Sequence, residues 1–142
     1  MKTSARNQFE GTVKSITTGS VNDEVTLEIA NGALITAIIT KESTAHLGLT
    51  EGAKAFALVK ASSVILATDL EGVKLSTRNQ LTGTVTELNK GAVNAEVALE
   101  VAPGMVITTI VTNQSVDNLG LAPGVKATAI IKASHVIVGT KA

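Results

Sequence analysis

SARNQFEGTV at residues 4–13 returns as STRNQLTGTV at residues 76–85. A shift of 72 residues lays the chain on itself without a gap, and residues 4–68 match residues 76–140 at 34 of 65 positions. Self-similarity on this scale is read before any local pattern. The period is too long for a solenoid unit, so it predicts two tandem domains, residues 1–69 and 70–142. The join runs through DLEGVK, residues 69–74, where polar residues and Gly72 interrupt the apolar pattern. It is short, so the two halves stay near each other.

Each half reads as β. VTLEI (25–29) and VALEV (97–101) alternate apolar and polar residues, the period of a half-buried strand. The runs LITAIIT (34–40), AFALVKA (55–61) and VILAT (64–68) follow, and FEGTVKSI (9–16) holds the first strand. Gly19, Gly32 and Gly52 recur as Gly91, Gly104 and Gly124 and mark turns. One helical turn interrupts the pattern at TKESTAHLGL (40–49). There Thr40 can cap, Glu42 suits the positive N-terminal end and Gly48 suits the left-handed C′ position. The second copy keeps Thr112, Ser115 and Gly120. The expectation is an all-β chain of two tandem OB-like five-stranded Greek-key barrels, each with one short helix. A unit of about 65 residues buries a poor fraction of its surface. The halves are therefore expected to pack on each other, and chains on chains.

Composition narrows the function. The chain has 142 residues, 12 basic and 12 acidic side chains and no cysteine. Zero net charge argues against a nucleic-acid or polyanion partner. Phe9 and Phe56 are the only aromatics, so a base-stacking platform is missing. Without cysteine there is no disulfide, thiolate nucleophile or Cys-ligated metal. No apolar run approaches the roughly 20 residues of a membrane span. MKTSARNQFE at the start has no apolar core of a signal peptide. The reading is a soluble cytoplasmic protein with no membrane partner, in which the sequon at Asn113 is a chance match.

The duplication also filters candidate sites, because a site present in both halves needs its polar residues in both. Ser4/Ser76, Arg6/Arg78, Asn7/Asn79, Asn22/Asn94, Glu24/Glu96, Glu28/Glu100, Thr40/Thr112, Lys60/Lys132 and Ser62/Ser134 pass. His46 aligns with Asn118 and His135 with Ser63, so a duplicated metal site or His-based triad is not expected. Glu24 and Glu28 fall on the polar phase of a strand and read as solvated. Arg6, Lys60, Ser4, Ser62 and Thr40 are donors that suit an anion, although Ser4 and Thr40 also suit plain capping. Lys-Ala-Ser at 60–62 stays unchanged at 132–134 while its neighbours drift. No nucleotide loop, metalloprotease helix or nucleophile elbow is present, and no retained acid neighbours a retained nucleophile. The chain reads as a binder and not an enzyme.

Four blocks together resemble the signature of the molybdate-binding Mop domain, the molbindins: TSARNQFEGTV (3–13), GSVNDEVTLEI (19–29), ITKESTAHLGL (39–49) and LVKASSVIL (58–66). STRNQLTGTV, GAVNAEVALEV, VTNQSVDNLGL and IKASHVIV give the second copy, and two fused copies are similar to the tandem cytoplasmic molybdate-binding proteins. The resemblance implies an OB-like barrel and an assembly of six such domains, hence a homo-oligomer of three two-domain chains. It implies molybdate or tungstate as bound ligand, no organic cofactor, no directly coordinated metal cation, and a storage or buffering role. Carried over by residue, it implies Ser4 and Arg6 from one domain with Thr40, Lys60, Ala61 and Ser62 from another. The second copy gives Ser76, Arg78, Thr112, Lys132, Ala133 and Ser134. Backbone at Val21, Asn22, Val93 and Asn94 is implied at further sites near a threefold axis. Two departures stand out: Ala5 becomes Thr77, and Ala95 has a carboxylate, Asp23, in the first copy. That carboxylate is expected to weaken an anion site near it.

Charge chemistry fits the implied ligand. Molybdate is an unprotonated tetrahedral dianion at neutral pH and needs donors only. One guanidinium and one ammonium balance two charges, and hydroxyls and backbone N–H groups fill the remaining oxygens. Protonated phosphate leaves its O–H unpaired in such a site, whereas sulfate is rejected only by size. The rival readings are a sulfate-type oxyanion carrier, an OB-type nucleic-acid or protein interaction module, and an enzyme acting on a molybdenum cofactor. Each site is further expected to take its arginine from one repeat and its lysine from the other.

Overall fold

The computed structural model describes residues 1–141. The first repeat forms β1 (Asn7–Thr18), β2 (Asn22–Glu28), β3 (Leu34–Thr40), helix α1 (Lys41–His46), β4 (Lys54–Val59) and β5 (Val64–Ala67). The second forms β6 (Asn79–Lys90), β7 (Asn94–Ala102), β8 (Met105–Thr112), helix α2 (Asn113–Leu119), β9 (Lys126–Ile131) and β10 (Ile137–Gly139). The strands build two five-stranded antiparallel sheets, and each repeat carries one short helix, as expected from the sequence.

The opening stretch folds as one long strand because it serves two neighbours. Its first half pairs with β4, from Asn7 opposite Val59 to Thr12 opposite Lys54. Its second half pairs with β2, from Thr12 opposite Glu28 to Thr18 opposite Asp23. The register slips between Val13 and Ser15, and the matching slip in β6 lies between Val85 and Glu87. Such bulges bend a strand and let the sheet curl. Gly11 and Gly83 sit at the bend, where any Cβ would collide with the carbonyl oxygens of Glu28 and Glu100. That is why the Gly-Thr-Val of both copies survives.

Strand order departs from simple tandem barrels. The sheets run β10-β4-β1-β2-β3 and β5-β9-β6-β7-β8, so each takes its fifth strand from the other repeat. After β4 the chain makes a 3₁₀ turn at Ala61–Ser63, with the Ser63 N–H donating to the Lys60 carbonyl at 2.9 Å. It then crosses to lay Val64 opposite Ile131 and Ile65 opposite Ile130. The second repeat turns at Ala133–His135 and lays Ile137 opposite Leu58. Lys-Ala-Ser therefore marks the crossing in both copies. The buried residues of the exchanged strands, Val64, Leu66 and Val138, and Val136 just before β10 join Leu27, Ile35, Val59, Leu99, Ile107 and Ile131 in one continuous core.

Two asparagines close the interface. Asn7 is buried; its Nδ2 donates to the Thr108 carbonyl at 2.8 Å, and its Oδ1 accepts from the Thr108 N–H at 2.8 Å. Asn79 does the same to Thr36, at 2.6 and 2.8 Å. β3 and β8 are the edge strands of their sheets, so each asparagine satisfies outward backbone groups that would otherwise lack a ladder partner. Thr77, where the first copy has Ala5, adds a bond from its hydroxyl to the Ile131 carbonyl at 2.8 Å.

Residues 1–69 alone leave β4 without its outer neighbour and β5 without a sheet. This half is expected to sediment as a dimer that exchanges β5 between copies, or to unfold; a stable monomeric half would contradict the exchange. Asn7→Ala leaves the part-buried Thr108 N–H and carbonyl without their side-chain partner, an expected loss of about 1–3 kcal/mol in chemical denaturation. Asn79→Ala is expected to cost a similar amount.

Candidate functional site

The retained donors of the first repeat converge. Ser4 and Arg6 stand on the segment entering β1, and Lys60, Ala61 and Ser62 stand on the crossing turn after β4. The pairing of Asn7 with Val59 brings the two segments side by side. Together they line a cleft of about 430 Å³, closed on its apolar side by Leu58, Ile110 and Ile137. Ile110 and Ile137 belong to the second repeat, so the cleft lies at the junction of the repeats. Ala61 is buried, whereas Lys60 and Ser62 are exposed. Among the described residues no side chain pairs with the Lys60 or Lys132 ammonium.

Arg6 is not free. Its Nη1 donates to Glu96 Oε2 at 2.9 Å and its Nη2 to Glu96 Oε1 at 2.5 Å, a bidentate bridge to β7 of the other repeat. Arg78 meets Glu24 of β2 across the other junction through its Nη2. The hydrogen bond from Arg6 holds the Glu96 carboxyl below the usual carboxylate range against the opposing effect of desolvation, so Glu96 is ionised at neutral pH. These glutamates are not simply solvated strand residues, as their polar phase alone implied. The signal for them was present: both survive the duplication next to the variable pair Asp23/Ala95.

Other expected residues fall elsewhere. Thr40 caps α1, accepting from the Ser43 N–H at 3.0 Å, and Thr112 caps α2, accepting from Ser115 at 3.1 Å. Thr40 does not line the Arg6–Lys60 cleft. It opens on a second cleft of about 360 Å³ with Ser43, His46, Ser134 and Ile137, where Ser134 comes from the other repeat. Ser76, Arg78 and Lys132 are exposed at the positions equivalent to Ser4, Arg6 and Lys60, and Ala133 is half-buried. Within one chain Arg6 shares its cleft with Lys60 of its own repeat, not with Lys132. The expected arginine–lysine exchange between repeats is therefore not what a single chain assembles.

The turns at Val21-Asn22 and Val93-Asn94 are exposed hairpin ends. Their valines are each 71% accessible. The Val21 carbonyl accepts from the Lys41 N–H at 3.0 Å and the Val93 carbonyl from Asn113 at 2.8 Å, so each turn is tied to the start of its helix. Asp23 behind the first turn is buried, with its Oδ1 3.8 Å from Lys41 Nζ and no hydrogen-bond partner. The second repeat has Ala95 and Asn113 at these two places. The added carboxylate and the added lysine thus arrive together.

Comparison with known proteins places this geometry. The TOBE domain pattern matches residues 3–66 and again residues 75–138. The molybdenum-pterin-binding protein MopA of Rhodobacter capsulatus is 47% identical over 137 residues, which cover 96% of this chain and 52% of that protein. The molybdenum transport protein ModE of Azotobacter vinelandii is 48% identical over 137 residues, covering 96% and 50%. The chain thus spans about half the length of these two relatives. Among solved structures, the cytoplasmic molybdate-binding protein ModG, in a crystal form with molybdate bound, superposes with a TM-score of 0.96 at 49% identity. That likeness covers 99% of this chain and 100% of the other.

Lys41→Asn is expected to destabilise the fold by about 1–3 kcal/mol, because Asp23 then lacks its counter-charge. Adding Asp23→Ala, which recreates the pair found in the second repeat, is expected to restore most of the loss. Thermal unfolding of the two variants reads both effects, and a double variant weaker than the single one would contradict the pairing.

Proposed function

This chain belongs to the TOBE domain family, of which it carries two tandem copies, and we propose that it binds molybdate and tungstate without chemically altering them. The observation that carries the reading is the composition of the Arg6–Lys60 cleft. It gathers a guanidinium, an ammonium and the hydroxyls of Thr3, Ser4 and Ser62, and the carboxylate that reaches them is Glu96, bridged to Arg6 from the other repeat. With that carboxylate displaced, the donors that remain suit an unprotonated tetrahedral dianion. The match to a ModG crystal form with molybdate bound supports the same ligand. Storage or buffering in the cytoplasm is the role that fits a cleft open to solvent. Among the described residues no helix is long and apolar enough to cross a membrane. Balanced charge and the lack of a stacking platform speak against nucleic acid as a partner of this two-repeat unit.

The proposed assembly is a trimer. Most of the large apolar side chains left exposed occur at the same place in both repeats: Val21 and Val93, Leu34 and Val106, Ile38 and Ile110, Ile65 and Ile137. Duplicated apolar positions suit an assembly in which both repeats make equivalent contacts. Packing against neighbouring chains would bring Thr40 and Thr112 of one chain toward donors of another and complete the expected ligand set.

Calorimetry near pH 7 is expected to give tight molybdate and tungstate binding, weaker sulfate binding and negligible phosphate binding. Phosphate as tight as molybdate would overturn the donor-only argument. Lys60→Ala and Lys132→Ala are each expected to weaken the affected sites at least about tenfold, since a lost charged partner costs about 2–5 kcal/mol. Native mass spectrometry is expected to show three chains, and a monomer at saturating molybdate would contradict the assembly.

A further inference from the structure

Both arginines that face the proposed oxyanion sites are already occupied by a carboxylate of the opposite repeat. Arg6 offers both terminal nitrogens to Glu96, and Arg78 pairs with Glu24. Glu96 stands at the rim of the Arg6–Lys60 cleft. Glu96 lies opposite Ile110 on the β7–β8 ladder, and Ile110 forms part of the cleft wall beside Arg6. Glu24 lies opposite Ile38 in the same register. The arrangement occurs twice in one chain, on residues that survive the duplication.

We propose that Glu24 and Glu96 set the affinity threshold of the oxyanion sites, each acting as an internal competitor that an incoming anion must displace from its arginine. This rests on the oxyanion reading of the Arg6–Lys60 cleft given above. A bidentate carboxylate takes the edge of the guanidinium best suited to a tetrahedral oxyanion. It is also tethered, so it competes at a high effective concentration and in every empty molecule. A singly charged anion brings no more charge to the arginine than the glutamate it replaces. A dianion brings twice the charge and also engages Lys60, so it can win where a monoanion of the same shape cannot. The bridge also joins the repeats, so its displacement reaches across the junction. Glu28 and Glu100, on the same strands, pair with neither arginine and are the natural controls: Glu28 lies 3.9 Å from Lys14.

The test uses the full chain and two tetrahedral probes of similar shape, molybdate with two charges and perrhenate with one. Glu24→Gln with Glu96→Gln keeps side-chain size and a hydrogen-bond acceptor, so the fold is expected to persist, with thermal unfolding as the check. Molybdate affinity is expected to rise about two- to fivefold, the upper range for releasing a well-aligned, half-exposed ion pair, and perrhenate binding is expected to become measurable. Glu28→Gln with Glu100→Gln is expected to change molybdate affinity less than about twofold. Unchanged or weaker molybdate binding in the Glu24/Glu96 variant would overturn the competitor role while leaving the oxyanion reading intact. An equal gain in the control would overturn it too, because bulk charge would then explain the effect. Absence of molybdate binding in both the native chain and all variants would sink the oxyanion reading itself.

Discussion

A single side-chain amide at the head of each repeat ties the molecule together. Asn7 and Asn79 each meet an edge-strand backbone of the other repeat with one donor and one acceptor, the pattern a further β-strand would supply. The amide is buried at 1% accessibility in both copies, so its bonds are protected from water and its loss leaves polar groups stranded. Exchange of β5 and β10 works toward the same end by placing backbone ladders across the junction. Small barrels with few aromatics gain a shared core through this interlock, which neither could build alone.

The same interlock positions the chemistry. Because Asn7 is pinned inward, Arg6 next to it is carried outward along the junction, where it meets Glu96 of the other repeat. Because β4 must cross into β5, Lys60 and Ser62 ride on the crossing turn and face the same opening. The repeated Arg-Asn pair therefore has two tasks, with the asparagine serving the fold and the arginine the cleft. Lys-Ala-Ser is constrained twice as well, as a crossing point and as a cleft wall, which explains why it stays fixed while its neighbours drift.

Strand content, turn glycines and the helix caps were legible in the sequence because each depends on local periodicity or local hydrogen bonding. Thr40 and Thr112 cap their helices as the residue type indicates. The exchange of the fifth strands was not legible. Val-Ile-Leu at 64–66 and its counterpart at 136–138 present the same alternation to β4 or β9, and the two registers are equivalent. Nothing in a period of two residues states which sheet a strand joins. The roles of Glu24 and Glu96 were hidden for a related reason: a glutamate on the polar phase of a strand looks solvated until the partner repeat is placed against it. The duplication and the Mop resemblance singled out Ser4, Arg6, Lys60 and Ser62 but assigned the first two and the last two to different domains; the cleft they share within one repeat was not legible, since the two segments lie more than 50 positions apart in the chain.

In the proposed function, a doubly charged oxyanion sits where the entering strand and the crossing turn of one repeat meet. Anomalous scattering at the molybdenum edge, from crystals of the full chain grown with molybdate, locates the metal without reference to any assumed site. The expected result is a peak within hydrogen-bond reach of the Arg6, Lys60 and Ser62 donors, with a second at Arg78, Lys132 and Ser134. Peaks confined to other surfaces, with the Arg6–Glu96 bridge unchanged, would contradict the account.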